Sequence, residues 1–439
     1  MRTKLILTLL LISSIQIEAQ ENFKKCITTQ LMEKESFSNS EYIEVKQHLI
    51  DYQKENRNYK NQSEITIPVV IHIIHRSQDA IGSNTNISNA QIADQLRILN
   101  EDYSKTNPEF PNPPRNTFNN YAGNPQLKFC LATLDPNGNS TTGITRTGTS
   151  KTGWDADNES NDMKRGSLGG IDNWDPLRYL NIWVCNLTNS GGGGQTLGYA
   201  YLPGLQGFSS QSWKDGLVVD YKFFGTIENA SNSSDGRTPT HEIGHYLGLS
   251  HTFCESGGCC DNDDSNVDDT PATDGIYFGS VNTNTNNNSC NDLNYGFNND
   301  LLDMDENYMS YSSNTWMFSN GQTTAMLNTL NAQTWQGGRI ELKNSTVSMN
   351  CTGSIGTGIN NYQLENLHIY PNPTLGKLNI TSADKINSLN ITNIIGKQIL
   401  FTENFTANSI DLSPFENGVY FINITTDKGT HIEKIILSK

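Results

Sequence analysis

The sequence predicts an α+β chain that closes with a small β-sandwich. Three observations carry this reading. An apolar, strand-like run at Ile65–Ile74 precedes a helical pattern that opens at Ser88. A second helix, rich in histidine, is bounded by Pro239 and Gly248. After residue 366, short apolar runs alternate with glycine and asparagine.

Composition narrows the classes. Of 439 residues, 30 are Lys or Arg and 46 are Asp or Glu, a formal net charge of −16. An acidic chain without basic runs is unsuited to phosphate backbones, which excludes nucleic acid as a partner. No apolar stretch reaches the roughly 18 residues of a membrane-spanning helix. At roughly 100–200 residues per domain, the length allows two to four domains.

Residues 1–19 read as a signal peptide. Arg2 and Lys4 supply the positive start, Leu5 to Ile12 the apolar core, and Ala19 a small residue before the cut. Export predicts an oxidising compartment, where disulfides persist. Residues 20–62 are polar and charged, and they carry Lys24-Lys25-Cys26. A thiolate is a good metal ligand, so Cys26 can take a coordination position and keep a metal site silent.

Ile65-Thr-Ile-Pro-Val-Val-Ile-His opens the next segment as a strand. His72 and His75, three apart on that strand, face opposite sides and read as structural. Ser88 and Gln91 form a capping box, and Ile92, Leu96, Leu99 and Tyr103 make the apolar face of the helix.

The centre of the chain holds the strongest signal. Residues 237–253 read Arg-Thr-Pro-Thr-His-Glu-Ile-Gly-His-Tyr-Leu-Gly-Leu-Ser-His-Thr-Phe. Thr238 is the expected N-cap, with Pro239 at the first helical position. His241 and His245, four apart, share a helix face and can bind one Zn²⁺. Glu242 stands where a carboxylate can polarise the water without being a ligand. Gly248 can take a positive φ, end the helix and bring His251 round as a third imidazole. Three imidazoles leave one position open, the mark of a catalytic zinc. Chance would give these five fixed residues on the order of 10⁻⁵ times in such a chain.

Several longer features resemble known families. The run His-Glu-x-x-His-x-x-Gly-x-x-His, followed by Glu306-Asn307-Tyr308-Met309-Ser310-Tyr311, resembles the metzincin peptidases, whose motif is completed by a methionine turn. The resemblance implies Met309 as an apolar floor under the zinc and Tyr311 as a donor to the developing oxyanion. Trp174-Asp-Pro-Leu-Arg-Tyr-Leu-Asn-Ile-Trp-Val, Leu197-Gly-Tyr-Ala-Tyr-Leu-Pro-Gly and Asp268-Asp-Thr-Pro add detail. With Leu127-Lys-Phe-Cys-Leu-Ala they resemble the pappalysin family, in its ulilysin- and mirolysin-like branch, over about residues 64–345.

That resemblance implies a mixed five-stranded sheet plus helices, with the zinc helix at the cleft floor. It implies a secreted endopeptidase with Glu242 as general base, acting on proteins or peptides. Leu197, Gly198, Tyr199 and Ala200 match an edge strand that takes an extended peptide. Cys26 matches a latency ligand, although Ile27 follows it where the family has Gly. Asp264 and Asp269 are the implied side-chain ligands of a structural Ca²⁺ in the acidic loop Asp261–Asp269. A second family calcium uses backbone oxygens near Leu202 and Gly204. Relatives that cut before Arg or Lys carry an Asp where this chain has Asn314, so a basic preference is not expected. Cys259 or Cys260 is expected to pair with Cys290, and Cys130 with Cys185. The rival readings are a secreted adhesion protein with a vestigial zinc site, and a metzincin of another family.

The last part of the chain reads as seven short strands, from Leu367-His368-Ile369-Tyr370 to Ile432–Leu437. The pattern suggests a small, non-catalytic β-sandwich, with a fibronectin-like adhesive module as the alternative. Tyr370-Pro-Asn-Pro-Thr, Gly418-Val-Tyr-Phe-Ile and Lys434-Ile-Ile-Leu-Ser-Lys resemble the sorting domain of the type IX secretion system. That implies secretion machinery as a partner and an extracellular or cell-surface destination. The expected organisation is a signal peptide at 1–19, a propeptide at 20–62, the catalytic domain at 63–345, a linker at 346–365 and the sorting domain at 366–439.

Overall fold

A computed structural model describes residues 26–59, 63–191, 194–208, 210–255, 260, 267–348, 367–382, 385–393, 398–426 and 429–439. The expected signal peptide lies outside the described residues.

The N-terminal segment forms two helices, α1 (Thr28–Ser38) and α2 (Ser40–Glu55). The central sheet begins with β1 (Ile65–Arg76). Helix α3 (Asn89–Asp102), β2 (Leu127–Leu131) and β3 (Ile144–Thr149) follow. Next come β4 (Trp154–Asp155), β5 (Leu180–Cys185), β6 (Leu187–Thr188), β7 (Gly198–Ala200) and β8 (Leu217–Asp220). The helices α4 (Thr238–Tyr246), α5 (Asn320–Asn331) and α6 (Ile340–Lys343) complete this unit.

The sheet runs β2-β1-β5-β8-β7. β1 is long enough to pair β2 through Ile65–Val69 and then β3 through Ile71–Arg76, along the same edge. The sheet is therefore five positions wide with six strands. All pairings are parallel except β7 with β8. A parallel strand covered on both faces needs apolar residues almost throughout, which explains the run Val69–Ile74 in β1. His72 is the polar exception. Its ring is buried between the Thr145 hydroxyl (2.8 Å) and Asn181 Oδ1 (3.0 Å), and burial pulls its pKa down to about 4.

Ser88 caps α3 by accepting from the Gln91 N–H at 3.1 Å. The expected face of α3 is buried: Ile92, Leu96 and Leu99, with Tyr103 just beyond the helix. The end of α3 also builds the site. Tyr103 donates its hydroxyl to the Thr240 carbonyl (2.9 Å), and Asp102 accepts from Thr240 Oγ1 and the Tyr308 hydroxyl, each at 2.7 Å.

The packing of this first unit includes residue 347. Val347 is buried with Val70, Ala132 and Tyr179, and its carbonyl accepts from the Thr133 N–H at 2.8 Å. Among its described residues the C-terminal unit has seven strands: β9 (His368–Tyr370), β10 (Lys377–Thr381), β11 (Ile386–Asn393), β12 (Gln398–Glu403), β13 (Ser409–Asp411), β14 (Gly418–Thr426) and β15 (Gly429–Leu437). Two antiparallel sheets, β13-β10-β9 and β12-β11-β14-β15, share one core that includes Leu378, Ile391, Ile422 and Ile435. This is the expected β-sandwich.

Candidate metal centre

Helix α4 starts one residue earlier than its sequence suggests. Arg237 is the N-cap and Thr238 is already helical, with Pro239 in the first turn, where its missing N–H leaves no gap. Arg237 makes no side-chain cap. Its guanidinium instead grips Glu109 through two bonds of 2.8 Å and lies 3.4 Å from Asp102. At the other end, the fully buried Arg339 donates to the Tyr246 carbonyl (2.9 Å) and forks onto Asp215 (2.9 and 2.8 Å). Both ends of the histidine helix are thus held by arginine–carboxylate pairs.

Gly248 adopts φ +96° and turns the chain, and the Leu249 N–H returns to the Gly244 carbonyl at 3.0 Å. His251 then faces His241 and His245. The three Nε2 atoms lie 3.1 Å from one another. A tetrahedral zinc with Zn–N bonds of about 2.0–2.1 Å separates its nitrogens by about 3.3 Å, so the donor set fits that ion. Each ring is aimed through its other nitrogen. Nδ1 of His241 donates to the Tyr308 carbonyl (2.7 Å), that of His245 to the Leu249 carbonyl (2.7 Å), and that of His251 to Glu255 (2.5 Å). Such partners fix the tautomer that presents Nε2 to a metal.

Among the described residues, one group of His, Cys and carboxylate side chains converges as metal ligands. It comprises Cys26, His241, His245 and His251, with ligand atoms within 4.8 Å of one another. Cys26 arrives from the N-terminal segment, in parallel register with Gly198 of β7. Two residues on, Thr28 Oγ1 accepts the Ala200 N–H at 3.0 Å. The edge expected at Leu197–Ala200 is therefore occupied by residues 26–28. Cys26 Sγ and Thr28 Oγ1 both lie 3.4 Å from Glu242 Oε2. Burial pushes the Glu242 carboxyl up to about 8, against the lowering effect of those two hydrogen bonds.

Below the cluster lies Met309. A Cβ on Gly244 would sit 2.3 Å from the Met309 sulfur, so any side chain there would have to displace this methionine. Tyr311 is buried beside His241 and His251, and its hydroxyl donates to the Cys26 carbonyl at 3.4 Å.

Comparison with known proteins follows the same division of the chain. The family profile described as pregnancy-associated plasma protein-A matches residues 169–331. That described as a secretion system C-terminal sorting domain matches 368–438. An extracellular metalloprotease of Pyricularia oryzae is 30% identical over 269 residues, 60% of this chain and 75% of that protein. One of Arthroderma benhamiae is 28% identical over 212 residues, 48% of this chain. The chain spans about half the length of the latter, 55%. The mature mirolysin of Tannerella forsythia, solved with a cleaved peptide, is 36% identical with a TM-score of 0.56. It covers 66% of this chain and 100% of its own. A promirolysin mutant of the same organism is 32% identical with a TM-score of 0.59, covering 73% and 97%. The chain belongs to the pappalysin family.

This pappalysin ends in a secretion-system sorting domain, and with its extracellular relatives that marks an exported protein. No helix among the described residues is long and apolar enough to cross a membrane.

The remaining residues singled out in the sequence have these surroundings. Asn314 stands with both ends of its amide on Val281, accepting the N–H at 2.7 Å and donating to the carbonyl at 2.8 Å. Asp269 accepts from the Ser319 hydroxyl (2.6 Å) and the Gly321 N–H (2.8 Å), so its two oxygens sit on the N-terminus of α5, where a negative charge is favoured. Asp264 lies outside the described residues. Among the cysteines, Cys260 pairs with Cys290. The expected Cys130–Cys185 bond does not form: Cys185 is free and buried within β5, while Cys130 and Cys254 are both in disulfides. Cys351 and Cys259 lie outside the described residues.

Sequence reasoning missed Thr28, Asp102, Arg237 and Glu255. Only Glu255 carried a local signal, a carboxylate four residues after a ligand histidine.

Proposed function

We propose that this chain is a secreted zinc endopeptidase, made as a precursor that residues 26–28 hold silent. The observation carrying this reading is the convergence of Cys26, His241, His245 and His251 beside Glu242. The names of the relatives, extracellular metalloproteases and mirolysin, support the activity. The promirolysin structure covers more of this chain than the mature one does, 73% against 66%. That supports counting α1 and α2 as a pro-segment.

When bound, zinc supplies Lewis acidity to a water and to the scissile carbonyl. The chain's own groups do the rest. Glu242, freed of Cys26 and Thr28, takes the proton of the attacking water and passes it to the leaving amine. Tyr311, whose hydroxyl already donates to a peptide carbonyl in the precursor, donates to the substrate oxygen as negative charge develops there. The substrate backbone pairs with β7 where Cys26 and Thr28 now lie. From the family resemblance we also propose a structural calcium near Asp264 and Asp269; a thermal midpoint indifferent to calcium would count against it.

The test is turnover of a protein substrate by the activated protein, with metal content measured in parallel. Chelation should abolish cleavage, and Glu242→Ala should retain zinc without turnover. Full activity of that variant would overturn the mechanism.

A further inference from the structure

We propose that the activated protein carries an anion subsite beyond the end of β7, built on Lys214, that takes a Glu or Asp side chain of the substrate a few residues from the cut. The inference rests on the precursor reading and names a feature of the substrates. Its template is the pro-segment itself, which can be followed along the edge. Cys26 lies in register with Gly198, and Thr28 Oγ1 accepts the Ala200 N–H at 3.0 Å. One helical turn on, Met32 Sδ lies 3.4 Å from the Leu202 nitrogen. A turn further, the Glu35 carboxylate pairs with the Lys214 ammonium. From Thr28 to Glu35 the helix α1 rises about 10 Å, the span of about three residues of extended chain. A substrate strand laid along β7 reaches Lys214 by continuing in the same direction.

The position of Lys214 is held by the backbone around it. Its carbonyl accepts from the ammonium of the buried Lys164 at 2.5 Å. The Tyr201 N–H, next after β7, donates to the Gly216 carbonyl at 3.2 Å. The Lys214 and Glu35 side chains are only 16% and 9% exposed, so the two charges meet largely out of water. There a charge that loses its partner is costly. A second cation stands near. The Arg165 guanidinium lies 4.2 Å from the Trp213 ring centroid, and the Lys214 ammonium 5.8 Å from the same ring. The adjoining carboxylate, Asp215, is committed to the fork of Arg339. Removal of α1 takes the Glu35 carboxylate from Lys214 and turns that cation toward whatever lies along β7. A substrate Glu or Asp restores the pair, whereas a Lys or Arg at the same place meets like charge.

The experiment uses the activated protein and peptides built on a sequence it cleaves, with Glu, Gln or Lys placed at successive positions on either side of the cut. At one position Glu should be preferred over Lys by about fivefold or more in kcat/KM, carried mainly by KM. Lys214→Met should abolish that preference, and Lys214→Glu should reverse it. High salt should shrink it in the parent. Should neither Lys214 variant fold, Arg165→Gln should lower the preference. Equal cleavage of the Glu and Lys peptides at every position overturns the inference and leaves the peptidase reading standing. So does a folded Lys214→Glu variant with the parent's preference. Failure to find any sequence cleaved in a chelator-sensitive way overturns the peptidase reading itself.

Discussion

His251 donates its Nδ1 proton to Glu255 at 2.5 Å, and the same carboxylate also accepts from the hydroxyl of Thr29 in the N-terminal segment. His241 and His245 lean on backbone carbonyls instead. Glu255 is therefore the side chain through which substitution can loosen one ligand without touching the ligand itself. Partners of this kind typically change metal affinity 10–100-fold. Glu255→Ala should weaken zinc binding by about tenfold or more, measured by competition with a chromogenic chelator. Glu255→Gln, which keeps an acceptor oxygen, should recover part of the loss.

Gly244 and Met309 form a second coupled pair. Alanine is the better helix former, so Gly244→Ala would stabilise an isolated helix by about 1 kcal/mol. Here the added methyl meets the Met309 sulfur, and overpacking of this kind costs about 1–3 kcal/mol. Denaturant unfolding should show Gly244→Ala destabilised in the parent and less so in a Met309→Ala background. Additive effects would mean the two do not compete for space.

The Cys26 thiol and the Thr28 hydroxyl both contact Glu242, which on the proposed reading keeps the precursor silent. Cys26→Ala removes the thiol and should raise precursor turnover by at least about tenfold, equivalent to roughly 1.4 kcal/mol. A precursor as inactive as the parent would place latency elsewhere, in Thr28 and the pairing along β7. Thr28→Val, which keeps the shape, separates these two contributions.

Lys164 makes the pH dependence of stability testable away from the metal site. It is fully buried, its ammonium lying 4.8 Å from the Trp183 ring centroid and 4.7 Å from that of Tyr201. It donates to the Lys214 carbonyl at 2.5 Å. Burial pulls its pKa down to about 7, with nearby Asp215 acting in the opposite sense. Between about pH 7 and 10.5 the unfolded chain binds this proton and the folded chain does not, so this group makes stability rise with pH in that window. Lys164→Met should remove that rise, measured as the difference in unfolding free energy from the parent at pH 7 and pH 10. Parallel pH curves for the two proteins would refute the assignment.

Much of this protein is legible in order along the chain. Helix periodicity sets His241 and His245 on one face, and a glycine at 248 brings His251 back within a few residues. The apolar run of β1, interrupted at His72, announces a strand covered on both faces. The seven strands of the C-terminal domain follow from runs punctuated by turn residues. Two readings went astray because they needed more than local pattern. Thr238 looked like the N-cap, but Arg237, held by Glu109 and Asp102, takes that position and Thr238 is already helical. Cys130 and Cys185 both lie in strands, yet β1 stands between β2 and β5, so they occupy non-neighbouring positions in the sheet.

What the sequence by itself determined is the set of groups whose geometry is local: the three histidines, Glu242 beside them and the two halves of the chain. Spacings of four to six residues are governed by backbone dihedrals, and those are readable from residue type. What only the tertiary structure decided lies between distant segments. Thr28 lies on Glu242 across 214 residues, Asp102 joins Thr240 and Tyr308, and Asn314 spends its amide on Val281. These contacts depend on how helices and loops pack over the sheet, a property of the whole core that no short window of residues contains.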